Sequence, residues 1–155
     1  MAFVESYEER KNESGIYTFI NTPGVDMIVE QVYGDVKVRL DPLLMLYEDL
    51  LPRVLAGKKT TTVRYGGDRI RVPAMQEVPL YLTRRNDAAY KQPHGKIVIP
   101  GFTIKKFSQL DEKDAMRDGY TTAQDLKDAI ARIYEPIAGP VDPNAWVSIY
   151  DIKIL

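Results

Sequence analysis

The stretch GKKTTTVRYGGD, at positions 57–68, places ammonium, hydroxyl and guanidinium groups close together. A lysine that follows a glycine and precedes a hydroxyl residue is typical of a phosphate-binding P-loop, which runs from a strand into a helix. Here the order is reversed, because a predicted helix ends at Gly57 and a strand begins. The upstream glycine of the motif is also missing. The stretch therefore does not predict an ATPase.

The alternation of side chains along this strand gives a second interpretation. Thr62 and Arg64 share one face, and Val63 lies on the other. We predict that Val63 faces the interior and that Thr62 and Arg64 point outward beside Lys59. A hydroxyl, an ammonium and a guanidinium then converge where the strand begins. The simpler alternative is that threonines are good strand formers and that Arg64 is a solvated charge.

Composition excludes several kinds of site. The chain has 155 residues, enough for one domain with a hydrophobic core. It has no cysteine and a single histidine, His94. Disulfides, thiol nucleophiles, zinc–thiolate sites and multi-histidine metal clusters are therefore excluded, and we expect no metal and no cofactor.

No run of residues approaches the roughly 18 apolar residues that predict a membrane span. The first fifteen residues are acidic and polar, lack apolar periodicity and do not resemble a signal peptide. We therefore expect a cytoplasmic protein that makes no membrane contact and whose first residues are partly disordered.

The charge of the chain is unevenly distributed. Residues 53–106 contain 12 Lys or Arg and 3 Asp or Glu, a net charge of +9. The flanking segments carry net charges of −6, from 4 cations and 10 anions, and −4, from 5 and 9. Either the fold mixes these charges in space, or the central segment forms one basic surface suited to phosphates.

Short runs rich in β-branched and aromatic residues predict strands. Before residue 43 they lie at 16–20, 27–33 and 36–40. Later runs are TTTVRY, RIRV, VPLYLT, KIVI, FTIKKF and AWVSIYDIKIL. Residues 84–95 interrupt them and are predicted to form an exposed loop. The resulting pattern of many short strands and few helices predicts an α+β protein, a small β-barrel with helices on its side.

Three helices are predicted among these strands. The first lies in LYEDLLPRVLAGK, where Pro52 restricts the start and Gly57 supplies the stop. Asp111 is placed to cap the second helix, which Gly119 ends. Thr122 and Asp125 have the spacing of a capping box at the start of the third.

Two segments, VLAGKKTTTVRYGGDRIRV and FTIKKFSQLDEKDAMRDGYTTAQDLKDAIARIY, resemble the ASCH domain family, whose fold is a PUA-like β-barrel. The resemblance covers roughly residues 44–155, which we predict to be an ASCH domain. Residues 1–43 have no counterpart and are predicted to be an N-terminal extension whose strands add to the barrel.

The resemblance implies a cleft for RNA, DNA or a nucleoside. One bacterial branch of the family consists of amidohydrolases that deacetylate acetylcytidine with a lysine, a threonine and a glutamate. These roles fall on Lys59, Thr62 and Asp118, and the aspartate departs from the pattern because it is one methylene shorter. The residues predicted to bind the ligand are Lys58, Lys59, Thr62, Arg64, Arg84, Arg85 and Tyr90, the last by stacking on a base.

Three functions remain open at this point. The first is binding of RNA or a nucleoside-like ligand in a basic cleft. The second is hydrolysis of acetylcytidine or of an RNA phosphodiester by the same residues. The third is a protein-interaction module whose partner surface is the N-terminal extension.

Overall fold

The computed structural model describes residues 8–11, 17–20 and 36–155. The strands in these ranges are β1 Glu8–Lys11, β2 Tyr17–Ile20, β3 Val38–Asp41, β4 Leu44–Tyr47, β5 Thr61–Gly67, β6 Ile70–Pro73, β7 Glu77–Arg84, β8 Asp87–Val98, β9 Gly101–Lys106, β10 Trp146–Asp151 and β11 Lys153–Ile154. The helices are α1 Leu51–Leu55, α2 Glu112–Arg117 and α3 Ala123–Ala138. No described helix combines the length and the apolar character that crossing a membrane requires.

The described strands form three sheets. A five-stranded antiparallel sheet has the order β1-β2-β9-β10-β5. A four-stranded sheet has the order β11-β8-β7-β4, in which β4 and β7 run parallel. Strands β3 and β6 form a parallel pair. The sheets curl around one another, so that the interior of the barrel lies between them.

Apolar side chains form two separate cores. The first fills the interior of the barrel and includes Leu80, Ile97, Phe102 and Tyr150. The second lies between the five-stranded sheet and the helices, and joins strand residues such as Ile149 to residues of α2 and α3. Each core removes its apolar side chains from water, which is the main favourable term in folding.

Local sequence signals set the helix boundaries as predicted. A short 3₁₀ turn, Glu48–Leu50, leads into α1, and Gly57 has a φ of 74° just after that helix. The Asp111 carboxylate accepts a hydrogen bond from the Asp114 amide at 2.9 Å and begins α2. The Thr122 hydroxyl accepts one from the Asp125 amide at 3.1 Å and begins α3. These contacts satisfy amides that have no partner inside the helix.

The prediction of a loop at 84–95 was wrong. Strand β8 runs through Asp87–Val98, and residues 85–86 form a two-residue turn that pairs Arg84 with Asp87. This end of the hairpin extends beyond the core, so most of its side chains are exposed on both faces. Without a buried face the strand has no alternation of apolar and polar residues, and its sequence is typical of a loop.

Two of the strands predicted before residue 43 are confirmed as β2 and β3, while the one at 27–33 lies outside the described residues. Strand β1 falls within the segment that we expected to be partly disordered. Strand β2 pairs with β9 at the side of the five-stranded sheet, and β3 pairs with β6. The domain boundary at residue 43 stays a prediction.

Candidate functional site

The two faces of strand β5 are reversed relative to the prediction, which placed Val63 in the interior and Thr62 and Arg64 outside. Val63 is buried, but it lies beside Ile149 in the core under the helices. Thr62 lies opposite Tyr150, whose ring belongs to the interior of the barrel, so Thr62 and Arg64 face that side. Thr62 is only 3% exposed. The prediction that Thr62 and Arg64 point outward was therefore wrong, because both faces of β5 are covered.

Lys59 and Asp118 meet although 59 positions separate them in the sequence. The Lys59 Nζ lies 2.6 Å from Asp118 Oδ1, and the two residues are 4% and 7% exposed. Lys59 belongs to the loop before β5, and Asp118 is the C-cap of α2. The Thr60 amide donates to the Arg117 carbonyl at 2.8 Å and holds loop and helix together.

The environment moves both members of the pair toward their neutral forms. Burial lowers the pKa of Lys59, an effect that Asp118 opposes and that the charges of Arg64 and Arg53 reinforce. Burial raises the pKa of Asp118 against the influence of Lys59. Desolvation penalises each charge, while the partner's charge favours it. The two shifts bring the pKa values of Lys59 and Asp118 closer together.

A neighbouring residue, Thr61, also contacts the pair. Its hydroxyl donates to Asp118 Oδ1 at 3.5 Å, and its side chain is fully buried. By the alternation of β5, Thr61 shares a face with Val63, and the sequence analysis assigned it no role. Its position two residues from Lys59, on the face that turns out to meet α2, is the only signal that would have indicated this contact.

The Thr62 hydroxyl is hydrogen-bonded to Arg64 and not to Lys59. The Arg64 Nη1 donates to Thr62 Oγ1 at 2.7 Å, and the Arg64 Nη2 donates to the Met45 carbonyl at 2.7 Å. In the described part of the chain no hydrogen bond joins Lys59 to Thr62, and no carboxylate lies within ion-pair distance of Arg64. The predicted triad is thus assembled in part, with Lys59 and Asp118 in contact and Thr62 bound to Arg64.

A depression of about 270 Å³ lies beside the turn that follows Asp118, and neither Lys59 nor Asp118 lines it. Gly119, directly after Asp118, has a φ of 91°, and a Cβ at this position would lie 3.8 Å from Lys59 Cβ. The pair therefore lies beneath the turn that forms part of this depression. The lining residues are Arg53, Gly119, Tyr120, Thr121, Asp125, Asp128 and Arg132. The sequence analysis did not single out any of these as a ligand contact.

The cations of residues 53–106 do not form one basic surface. At least six of the twelve make ion pairs with carboxylates. The pairs are Lys59–Asp118, Arg71–Asp41, Arg84–Glu48, Arg85–Asp49, Lys96–Glu77 and Lys105–Asp114. The fold therefore mixes the charges that the sequence separates, which was one of the two alternatives.

Arg84, Arg85 and Tyr90, predicted to bind ligand, interact with other groups at the end of the β7–β8 hairpin. The Arg84 guanidinium lies 3.8 Å from the centre of the Tyr90 ring. The Tyr90 hydroxyl donates to Gln92 at 2.8 Å. In the described residues these three side chains make no contact with Lys59 or Asp118. Lys58 is exposed beside the buried Lys59.

No group of three or more His, Asp or Glu side chains within the described ranges is arranged to hold a metal ion. The oxygen and nitrogen atoms near the Lys59–Asp118 pair, which could otherwise bind a metal ion, form hydrogen bonds and ion pairs with one another. The site consists of side chains that can donate, accept or transfer protons.

No protein-family model matches the chain, and no curated protein matches it. Two solved structures are similar. An ASCH domain from Lactobacillus crispatus JV V101 is 12% identical, with a TM-score of 0.49 over 83% of this chain and 89% of that one. The protein EF3133 from Enterococcus faecalis V583, described as DUF984, is 17% identical, with a TM-score of 0.51 over 84% and 89%.

At these identities the comparisons concern the fold alone. The chain is an α+β protein, a small β-barrel with helices packed on its side, and its fold is similar to that of EF3133. Membership of the ASCH family, with its PUA-like barrel, stays a prediction from the motif at 54–72.

Proposed function

We propose that this protein binds a nucleoside-like small molecule at the Lys59–Asp118 pair and in the depression beside it. The observation that carries the proposal is the buried ion pair beneath the turn at Gly119, at the edge of a depression. The volume of about 270 Å³ is close to the lower end of the roughly 300–1,000 Å³ usual for small-molecule sites. The depression offers guanidinium, hydroxyl and carboxylate groups to a polar ligand.

The distribution of charge favours a small ligand over a polynucleotide. Nonspecific RNA binding depends on Lys and Arg side chains that neutralise phosphates and release counterions. At least six cations of the basic segment already have carboxylate partners. A bound strand would have to compete with those carboxylates wherever it contacted these six side chains.

The test is a calorimetric titration of the protein with cytidine and with acetylcytidine. Binding is expected in the wild type and is expected to weaken strongly in Asp118→Asn, which removes the carboxylate that meets Lys59. Asp114→Asn is the matched control, because Asp114 lies in the same helix and accepts the buried Lys105, whereas Asp118 directly precedes Gly119, which lines the depression. Equal loss of binding in both variants, or no binding by the wild type, would overturn the proposal.

A second candidate, hydrolysis of an amide such as that of acetylcytidine, is favoured by the lowered pKa of Lys59 and the raised pKa of Asp118. The Thr62 hydroxyl, which is bound to Arg64 in this structure, would have to move into contact with neutral Lys59, which would take its proton as the oxygen attacks the amide carbonyl. Protonated Asp118 would give its proton to the leaving amine, and water would then cleave the acyl ester. The Asp118 carboxylate already reaches Lys59 Nζ, so its shorter side chain is not an obstacle.

Acetylcytidine turnover, followed by chromatography of cytidine and acetate, tests this candidate. Lys59→Ala and Thr62→Ala should each abolish turnover, since nucleophile and base act as a unit. Thr60→Val is the control, because Thr60 is exposed and its hydroxyl donates to the Arg117 carbonyl and not to the Lys59–Asp118 pair. The rate should be highest at intermediate pH, because it falls at low pH as Lys59 takes up a proton and at high pH as Asp118 loses one. A wild type without turnover would leave binding as the function.

A further inference from the structure

Two arginines from different helices line the depression. Arg53 comes from α1, and Arg132 comes from α3. Both residues are exposed. Among the described residues, no carboxylate lies within ion-pair distance of either guanidinium. They differ in this from the arginines of the β7–β8 hairpin, each of which has an acidic partner.

The position of Arg53 relates the depression to the buried pair. Its Nη1 lies 3.7 Å from the point that a Cβ on Gly119 would occupy, and Lys59 Cβ lies 3.8 Å from the same point. The charge of Arg53 also contributes to the lowered pKa of Lys59. A group bound to Arg53 would therefore lie next to the Lys59–Asp118 pair.

Charged groups from several elements also act on the Tyr120 hydroxyl. Burial and the charge of Asp118 raise the pKa of Tyr120, and the guanidiniums of Arg85, Arg132 and Arg53 oppose them. The three arginines come from the β7–β8 turn, α3 and α1, and two of them, Arg53 and Arg132, line the depression together with Tyr120. Such an arrangement favours negative charge on a ligand at this place.

Two aspartates of α3 also line the depression but do not neutralise its arginines. Asp128 accepts a hydrogen bond from Gln124 Nε2 at 2.8 Å. It stands four residues before Arg132, a spacing at which ion pairs can form on a helix, yet the two do not pair. Asp125 belongs to the first turn of α3, where a carboxylate is favoured by the helix dipole. Both guanidiniums are thus left to bind a ligand.

We propose that Arg53 and Arg132 bind an anionic group of the ligand, a phosphate, across this depression. Building on the proposed function, the inference makes the ligand a nucleotide instead of an uncharged nucleoside. A guanidinium offers parallel N–H donors that match the oxygens of a phosphate, and such charge-assisted bonds are stronger than neutral ones. The remainder of the nucleotide would then extend toward the Lys59–Asp118 pair.

The experiment compares the binding of cytidine, cytidine 5′-monophosphate and inorganic phosphate by calorimetry at fixed salt. The wild type should bind the monophosphate at least about tenfold more tightly than cytidine. The variant with Arg53→Gln and Arg132→Gln should lose that difference, so that it binds cytidine and its monophosphate equally. Arg69→Gln is the matched control, since Arg69 is exposed in the turn between β5 and β6 and does not line the depression. It should behave as the wild type.

The outcomes separate this inference from the proposed function. Equal affinities for cytidine and its monophosphate would overturn the phosphate site and leave nucleoside binding intact. An effect of Arg69→Gln as large as that of the double variant would also overturn it, because the preference would then reflect overall charge. Phosphate binding that depends on Arg53 and Arg132, without binding of either cytidine compound, would support the site and overturn the nucleoside proposal. Failure of all three ligands to bind would overturn both.

Discussion

Asp114 and Asp118 lie one helical turn apart, and each accepts a buried lysine from a different part of the chain. Lys105 of β9 approaches Asp114 Oδ2 to 2.5 Å, and Lys59 approaches Asp118 Oδ1 to 2.6 Å. The two pairs fix α2 to the sheet at both ends. Asp118 directly precedes Gly119, which lines the depression, so the Lys105–Asp114 pair serves as a structural counterpart against which the candidate site can be tested.

Removing either lysine should lower the free energy of unfolding. Lys59→Met leaves Asp118 buried with only the 3.5 Å contact from Thr61, and a loss of about 3–5 kcal/mol is expected. Lys105→Met should cost less, because the Asp111 amide still donates to Asp114 at 3.0 Å and Arg117 lies 3.5 Å away. Urea denaturation measures both changes. A larger loss in Lys105→Met would contradict this account of the two pairs.

Asp118→Glu, which lengthens the acidic side chain, should improve neither the stability nor the activity of the protein. The carboxylate already meets Lys59 in a buried position, so another methylene overfills the space and costs about 1–3 kcal/mol. Asp125→Glu, at an exposed position in α3, is the control and should be nearly neutral. Thermal or urea unfolding gives the stability, and acetylcytidine turnover gives the activity. A faster Asp118→Glu enzyme would show that the reach of Asp118 limits the reaction.

Tyr150→Phe should change stability in a pH-dependent way. The Tyr150 hydroxyl donates to Asp41 Oδ2 at 2.7 Å, and burial followed by the charge of Asp41 raises its pKa well above the ordinary 10.0. At neutral pH the loss of this bond should cost about 1.5–3 kcal/mol. The wild type holds its tyrosine proton more tightly when folded, so this stabilisation is complete below pH 10 and decreases above it.

Urea denaturation at several pH values between about 8 and 11 checks the sign of this effect. The difference in unfolding free energy between the wild type and Tyr150→Phe should shrink as the pH rises above the ordinary tyrosine pKa. A difference that stays constant over the range would mean that the tyrosine proton is held no more tightly in the folded protein than in the unfolded chain.

Single-stranded RNA should bind weakly and with a shallow dependence on salt. Arg84 and Arg85 already pair with Glu48 and Asp49 at 2.8 Å, so charge reversal at both positions should change RNA affinity little. Fluorescence anisotropy with a labelled oligonucleotide at several salt concentrations measures both effects. A steep fall in affinity with salt that disappears on charge reversal would instead identify the hairpin as an RNA contact.

The sequence was sufficient where local chemistry determines the outcome. Asp111 and Thr122 cap α2 and α3 because their side chains bond to amides three residues away, a contact that spacing alone predicts. The resemblance to a family predicted that Lys59 and Asp118 share a site. No local pattern in the sequence relates positions 59 and 118. Their ion pair is a tertiary contact.

The orientation of β5 and the distribution of charge depend on tertiary packing, which the alternation of side chains along a strand does not reveal. Val63 and Thr62 are both buried, so their order along β5 did not reveal which side faces the barrel. The basic segment was predicted from charges near one another in sequence, but Arg71 pairs with Asp41 and Lys59 with Asp118, each from a flanking acidic segment. Charge in space is set by the pairing of distant segments.

The position of strand β10 between the two cores affects how the molecule unfolds. The strand lies between β9 and β5, with Tyr150 in the barrel interior and Val147 and Ile149 in the core beneath the helices. Neither core can lose this strand without exposing the other. The helices and the barrel should therefore form a single cooperative unit, with the backbone amides of β10 among the last to exchange their hydrogens with solvent.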